Sequence, residues 1–100
     1  MYIHTYNISV QLEWDETKRQ TNLRKRRLDF ADAEIIFSGA TFTFEDDRFE
    51  YGEDRYITLG LLNGHVVIIA HTQRNELIRI ISMRKATKYE QRLYFQSFSD

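Results

Sequence analysis

Asn63-Gly64 stands between two largely apolar runs, residues 55–62 and 65–71, and constrains the fold more than any other feature of the chain. Asn and Gly both tolerate positive φ, so the pair predicts a two-residue type I′ turn joining an antiparallel hairpin. A second tight turn is expected at Asn75-Glu76, leading into a strand over residues 77–83. The two turns set a register. Leu62 falls opposite His65, Leu59 opposite Ile68 and Tyr56 opposite His71; then Arg74 falls opposite Leu77, His71 opposite Ile80 and Val67 opposite Arg84. Because side chains alternate along a strand, this register also assigns faces. One face collects Ile57, Leu59, Leu61, Val66, Ile68, Ala70, Leu77, Ile81 and Met83, an apolar surface for helices to cover, with Arg55, Thr72, Arg74 and Arg79 towards one end. The other collects Tyr56, Thr58, Gly60, Val67, Ile69, His71, Ile78, Ile80, Ser82 and Arg84, and its mixed chemistry marks it for a ligand.

The rest of the chain supplies helices and further strands. Residues 8–14 alternate apolar and polar, as a half-buried strand does. Asp15 is placed to cap a polar, basic helix over residues 16–26, with Leu23 its only large apolar member. Asp29 can cap a second helix, FADAEIIF, whose Phe30, Ala33, Ile36 and Phe37 share a face, and Gly39 ends it. ATFTFED alternates Thr and Phe as a strand, and residues 46–52 form a charged loop. Thr87-Lys-Tyr-Glu90 fits the capping box of a last helix running to about Phe98, burying Tyr89, Leu93 and Tyr94. The expected class is α+β: an N-terminal strand, two helices, an antiparallel sheet of about four further strands and a C-terminal helix.

One hundred residues suit one domain over 1–100, and 42% apolar with 14% aromatic residues can fill its core. With no cysteine there is neither disulfide nor thiolate metal site, and His4, His65 and His71 are too far apart for a metal motif. The longest purely apolar run, residues 66–70, is too short to cross a membrane, and residues 2–6 lack the features of a signal peptide, so a cytoplasmic protein with no cofactor is expected. The formal net charge of -1 hides segregation. Residues 18–27 carry Lys18, Arg19, Arg24, Lys25, Arg26 and Arg27 without an acid; residues 45–54 are acidic apart from Arg48; residues 74–92 are basic again. Either these blocks attract one another as solvated faces, or the basic ones converge on a phosphate-bearing partner.

The ordered motifs LEWDETK, NLRK, DFADAEIIF, EDRYITLG, HTQR, RIISMRKAT and YEQRLYF span most of the chain from Leu12 onward. In this order and spacing they resemble the BrnT family of toxins, within the RelE/ParE-like superfamily of type II toxin–antitoxin systems. The resemblance implies a RelE-like fold and an endoribonuclease that inhibits translation. It also implies neutralisation by a ribbon–helix–helix antitoxin that alone touches operator DNA, and assemblies with two of each chain. The family usually carries Lys-His-Gly after the first helix, where this chain has Lys25-Arg26-Arg27. A guanidinium keeps its proton, so Arg26 cannot take over any proton transfer by that histidine.

Metal-free RNA cleavage needs a base for the ribose 2′-hydroxyl, an acid for the leaving oxygen and cations for the phosphorane charge. On the register above, His71 is the candidate proton-handler and Arg84 the candidate phosphate ligand, projecting from one side of adjacent strands and offset by roughly 13 Å. Tyr56, opposite His71, is a candidate for base stacking, with Lys25, Arg26, Arg74, Arg79 and Lys88 guiding the RNA backbone. Arg79 has a competing structural reading, an ion pair with the acidic loop, and His71 that of a satisfied structural residue. Asp46, Asp47 and Glu50 could in composition hold a divalent cation, but a solvated loop is the simpler account. Two further functions remain open: a toxin of the same fold that blocks a protein such as gyrase, and a non-catalytic module that only binds its antitoxin.

Overall fold

In the computed structural model, residues 2–4, 11–48, 50, 52–74 and 76–99 are described. Six strands form one mixed sheet in the order β1-β3-β4-β5-β6-β2. The strands are β1 (Tyr2–His4), β2 (Gln11–Trp14), β3 (Thr41–Glu45), β4 (Tyr56–Leu62), β5 (His65–Arg74) and β6 (Leu77–Lys85). The helices are α1 (Glu16–Arg26), α2 (Ala33–Ser38), preceded by a 3-10 turn at Phe30–Asp32, and α3 (Lys88–Gln96). The α+β class is as expected, with one strand more: β1 adds to the edge of β3, while β2 runs parallel to β6 at the other edge. Part of the expected first strand, residues 8–10, lies outside the described residues; residues 11–14 form β2.

The first turn behaves as its sequence dictates. Asn63 and Gly64 take φ of 52° and 80°, and Leu62–His65, Leu59–Ile68 and Tyr56–His71 are cross-strand partners. At the second turn Arg74–Leu77 and His71–Ile80 pair as expected, with Asn75 outside the described residues. The ladder then slips: Ala70 faces Ser82, so Ile81 is an extra residue, a β-bulge. Beyond it Val67 faces Lys85 instead of Arg84, and Ile68 faces Arg84.

That one residue corrects the expected faces of the end of β6. Met83 joins Val67, Ile69, Ile78 and Ile80 on the His71 side, and Arg84 moves to the other. The His71 side is thereby the more continuously apolar, and it is the one that the N-terminal helices cover, contrary to expectation. Leu28, Phe30, Ala33, Ile36, Phe37, Leu62, Val67, Ile69, Ile78, Ile80 and Met83 form the main core there, with Leu12 and Trp14 at its margin. Gly60 allows the close fit: a Cβ at this position would collide with the Ile36 side chain of α2.

Local chemistry sets the helices. Asp15 caps α1 by accepting the Lys18 N–H at 3.0 Å, and Arg27 closes the helix in the left-handed region at φ 60°. Leu23 is only half-buried; Asn22 is the buried member, 8% exposed. Its carboxamide donates to Leu28 O at 3.1 Å and accepts Met83 N–H at 3.2 Å. The paired residues of β2 reach along β6 only to Ile80, so Asn22 satisfies a strand amide beyond that pairing. Trp14 is level with Ile80 and Asn22 with Met83, so α1 advances towards the C-terminal end of β6 and carries Arg24, Lys25 and Arg26 there.

Among the described residues, α3 is the one helix that covers the other side of the sheet. The capping box forms as expected, with Thr87 accepting Glu90 N–H at 3.2 Å and Glu90 accepting Thr87 N–H at 2.9 Å. Tyr94 is the residue α3 buries; it packs with Leu59, Val66 and Ile68, and its hydroxyl donates to Ala40 O at 2.8 Å. Tyr89, expected inside, is 62% exposed, because the side of this nine-residue helix that meets the sheet is the one carrying Tyr94. No helix among the described residues is long and apolar enough to cross a membrane.

Candidate functional site

His71 is not on an open wall. It is 1% exposed, and its ring lies edge-on to Phe37 at 5.3 Å and stacked on Tyr56 at 5.9 Å. Its Nε2 lies 2.7 Å from Thr58 Oγ1, which is 2.7 Å from Thr43 Oγ1, a short hydrogen-bonded chain inside the sheet–helix interface. Burial pushes the imidazole pKa down to about 4, against a smaller opposing pull from the Thr72 backbone. The side chain is therefore neutral and sealed, and the expected open His71–Arg84 pair is overturned: the two project from opposite sides of the sheet because of the Ile81 bulge.

Arg84 lies on the partly covered side. Its guanidinium makes a two-pronged pair with Glu90, both bonds 2.8 Å, and a longer bond to Lys85 O at 3.3 Å. Hydrogen bonding to Arg84 holds the Glu90 carboxyl down to about 2, and the same bonds raise the Arg84 pKa.

Beyond α3, no further helix among the described residues lies on this side of the sheet, which carries more guanidinium groups. Arg79 meets Glu13 across the β6–β2 pair at 3.2 Å; it does not pair with the acidic loop, although Glu53 of that loop lines the same hollow. Arg48 is bonded to Asp46 at 2.8 and 3.0 Å, close enough to Arg84 for their charges to repel. Arg55 lies 3.7 Å from Glu53. Glu13, Glu53, Thr72, Leu77 and Arg79 line a hollow of about 280 Å³. Its neighbours along the ladder are Ala70 and Ser82, leading to Arg84. The wall thus alternates guanidinium and carboxylate over Thr72, Ala70 and Ser82, with Leu77 and Ile57 beside them.

The other expected RNA contacts are dispersed. Tyr56 is half-buried against His71. Lys25 and Arg26 are exposed in the last turn of α1, on the opposite layer from the wall. Lys88 is exposed in the first turn of α3. Arg74 ends β5, and its side chain lies outside the described residues. Asp46 is 8% exposed and bonded to Arg48, and it lines one hollow with Asp47 and Glu50 of the acidic loop; among the described residues no three His, Cys, Asp or Glu gather as a metal site. Sequence reasoning passed over Glu13, Arg48, Thr72 and Ser82 as site residues. The alternation of Glu13, Thr72 and Arg79 was legible, whereas the side of Ser82 depended on the bulge.

The family model described as the ribonuclease toxin BrnT of type II toxin–antitoxin systems matches residues 14–90. The chain therefore belongs to the BrnT family of type II toxin–antitoxin ribonuclease toxins. Comparison with curated proteins finds no match.

Proposed function

We propose that the chain cleaves RNA without a metal ion, on the open wall bearing Arg79 and Arg84. The observation that supports this most is the bulge at Ile81, which turns Arg84 out of the core onto the same wall as Arg48 and Arg79. Four sheet positions, roughly 13 Å, separate Thr72, the partner of Arg79, from Ile68, the partner of Arg84. The two guanidiniums are thus spaced to hold successive parts of one phosphate backbone. Planar forks suit bidentate phosphate contacts, and the carboxylates that now hold them keep them aligned until an anion competes. Glu13, on a strand and beside Arg79, is the base that takes the 2′-hydroxyl proton. The 2′-oxygen attacks phosphorus, the bond to the 5′-oxygen breaks, and that oxygen takes a proton from water. His71 acts by packing, and Tyr56 by shielding it.

On this reading Lys25 and Arg26 lie off the wall, so the departure from the family's Lys-His-Gly changes a surface and not the reacting centre. The neutralising partner is a ribbon–helix–helix antitoxin, through which alone the pair meets operator DNA, with two copies of each chain; these follow from the resemblance, and action in the cytoplasm is the expectation drawn from the sequence. The test is cleavage of single-stranded RNA by purified variants. Arg79→Ala, Arg84→Ala and Glu13→Gln should each lower the rate about 100-fold or more, while folded His71→Gln stays within a few-fold of the parent. Full cleavage by the two arginine variants would remove the wall as the site. Growth arrest with intact RNA and linearised DNA would instead point to a gyrase-type target, and no arrest on expression to a binding module.

A further inference from the structure

Three exposed aromatic side chains gather on and just past α3. Tyr89, Phe95 and Phe98, just past the helix end, are 62%, 56% and 40% exposed. Phe95 and Phe98 lean on Tyr94 with centroids 5.1 and 5.0 Å apart and rings at 79° and 70°. Phe95 stands between two hollows. One, of about 140 Å³, opens towards His65 and Lys85; the other, of about 400 Å³, is lined by Lys88, Gln91, Arg92 and Gln96. Lys85, Lys88 and Arg92 rim this region, and the basic last turn of α1 comes to the same end of the sheet. The acid of α3, Glu90, is committed to Arg84 on the inner side.

We propose that this aromatic ridge with its cationic rim docks an acidic segment bearing apolar anchors, supplied by the protein partner of the toxin. Exposed aromatics in a cation-rimmed groove are the counterpart of such a segment: apolar anchors fill the hollows beside Phe95, and carboxylates meet Lys85, Lys88 and Arg92. A polynucleotide also favours cations and rings. It would make RNA cleavage depend on the same side chains, and the test below separates the two. In a type II toxin–antitoxin system the protein partner of the toxin is the antitoxin. The proposal rests on that family membership and is independent of the RNA wall.

The test uses the full chain and the protein encoded by the adjacent antitoxin gene, purified separately. Phe95→Asp combined with Arg92→Glu should raise the Kd at least 100-fold and leave the RNA-cleavage rate of the free toxin unchanged. An unchanged Kd overturns the proposal, and so does a Kd that rises only together with loss of cleavage, since that assigns the ridge to RNA. If the double variant does not fold, a label decides. The chain has no cysteine, so Gln96→Cys and Gln20→Cys each offer one thiol. Thiol modification at position 96 should slow at least tenfold in the complex relative to position 20, and equal rates at the two positions would sink the idea. Failure of the arginine variants on the wall to affect cleavage would leave this result untouched.

Discussion

Arg84 lies opposite Ile68, one position away from where an unbroken ladder would put it. The extra residue is Ile81, and its effect is to exchange the sides of Met83 and Arg84. Met83 is fully buried beneath the N-terminal helices, while Arg84 bonds Glu90 on the far side of the sheet. Deleting Ile81 should restore the regular ladder, driving a guanidinium into the apolar core and Met83 out of it. The expected cost is about 3–5 kcal/mol, a large fraction of the stability of a domain of this size, because an uncompensated charge is buried. Ile81→Ala keeps the residue count and should cost about 1 kcal/mol, since Ile81 is only half-buried. Urea unfolding of the two variants checks this; a deletion as stable as Ile81→Ala would show that the strand absorbs the slip elsewhere.

His71 makes stability depend on pH in a defined window. Its folded pKa is about 4, below the 6.5 of a free imidazole, because burial disfavours the charged form. Between these values the unfolded chain binds the proton and the folded one does not, so stability is full above about pH 6.5 and falls as pH drops towards 4, by at most about 3 kcal/mol. His71→Gln keeps a hydrogen-bonding side chain beside Thr58 but has no proton to take up. Its unfolding midpoint should be lower at pH 7 and flatter between pH 6.5 and 4 than the parent's, with RNA cleavage per folded molecule little changed. Equal pH slopes in the two proteins would refute the sealed, neutral imidazole.

Much of the fold was readable because it is specified locally. Asn63-Gly64 determines the first hairpin, Asp15 and Thr87 place two helix starts, and the Phe30, Ala33, Ile36, Phe37 stripe identifies the apolar side of its helix. The site was less readable, because its geometry depends on a choice between two sides of the sheet. Nothing local in RIISMRKAT announces a bulge; what favours it is the tertiary gain of placing Met83, and not Arg84, in the core that holds Phe30 and Ile36. His71 was misplaced for a related reason. Alternation put it correctly beside Thr58, Val67 and Ile69, but which side the helices cover depends on Gly60 admitting Ile36. Tyr89 and Tyr94 are both aromatic, and only the docking of α3 through the Ala40 carbonyl distinguishes the buried one.

Glu90 serves two partners, the Arg84 fork and the Thr87 amide. Glu90→Gln should keep the cap, because the carboxamide oxygen still accepts from Thr87, and lose the ion pair. The expected loss is about 1 kcal/mol, small because the Arg84 side chain remains 39% exposed and screened by water. Below pH 4.5 the difference should narrow, as falling pH protonates the parent carboxylate towards its folded pKa of about 2 and removes the same pair. Thermal unfolding at pH 7 and pH 3 measures both effects. A gap between parent and variant that widens in acid would contradict the pairing.

Gly60 and Ile36 mark the closest approach of a helix to the sheet. A Cβ on Gly60 would fall within the Ile36 Cγ2 methyl and lie 3.3 Å from the Thr41 side chain, which is itself wholly buried. Gly60→Ala should therefore push α2 outward, at a cost of about 1–3 kcal/mol, with Phe37 losing contact with the His71 ring. Ile36→Ala alone removes a core side chain and costs about 2–5 kcal/mol. In the double variant the new methyl occupies part of the space that Ile36 leaves. The two losses should then fall short of additivity by about 1 kcal/mol or more, as expected for residues in direct contact. Denaturant unfolding of the four proteins closes the cycle. Strict additivity would mean that α2 is not seated on Gly60 and that His71 owes its burial to something else.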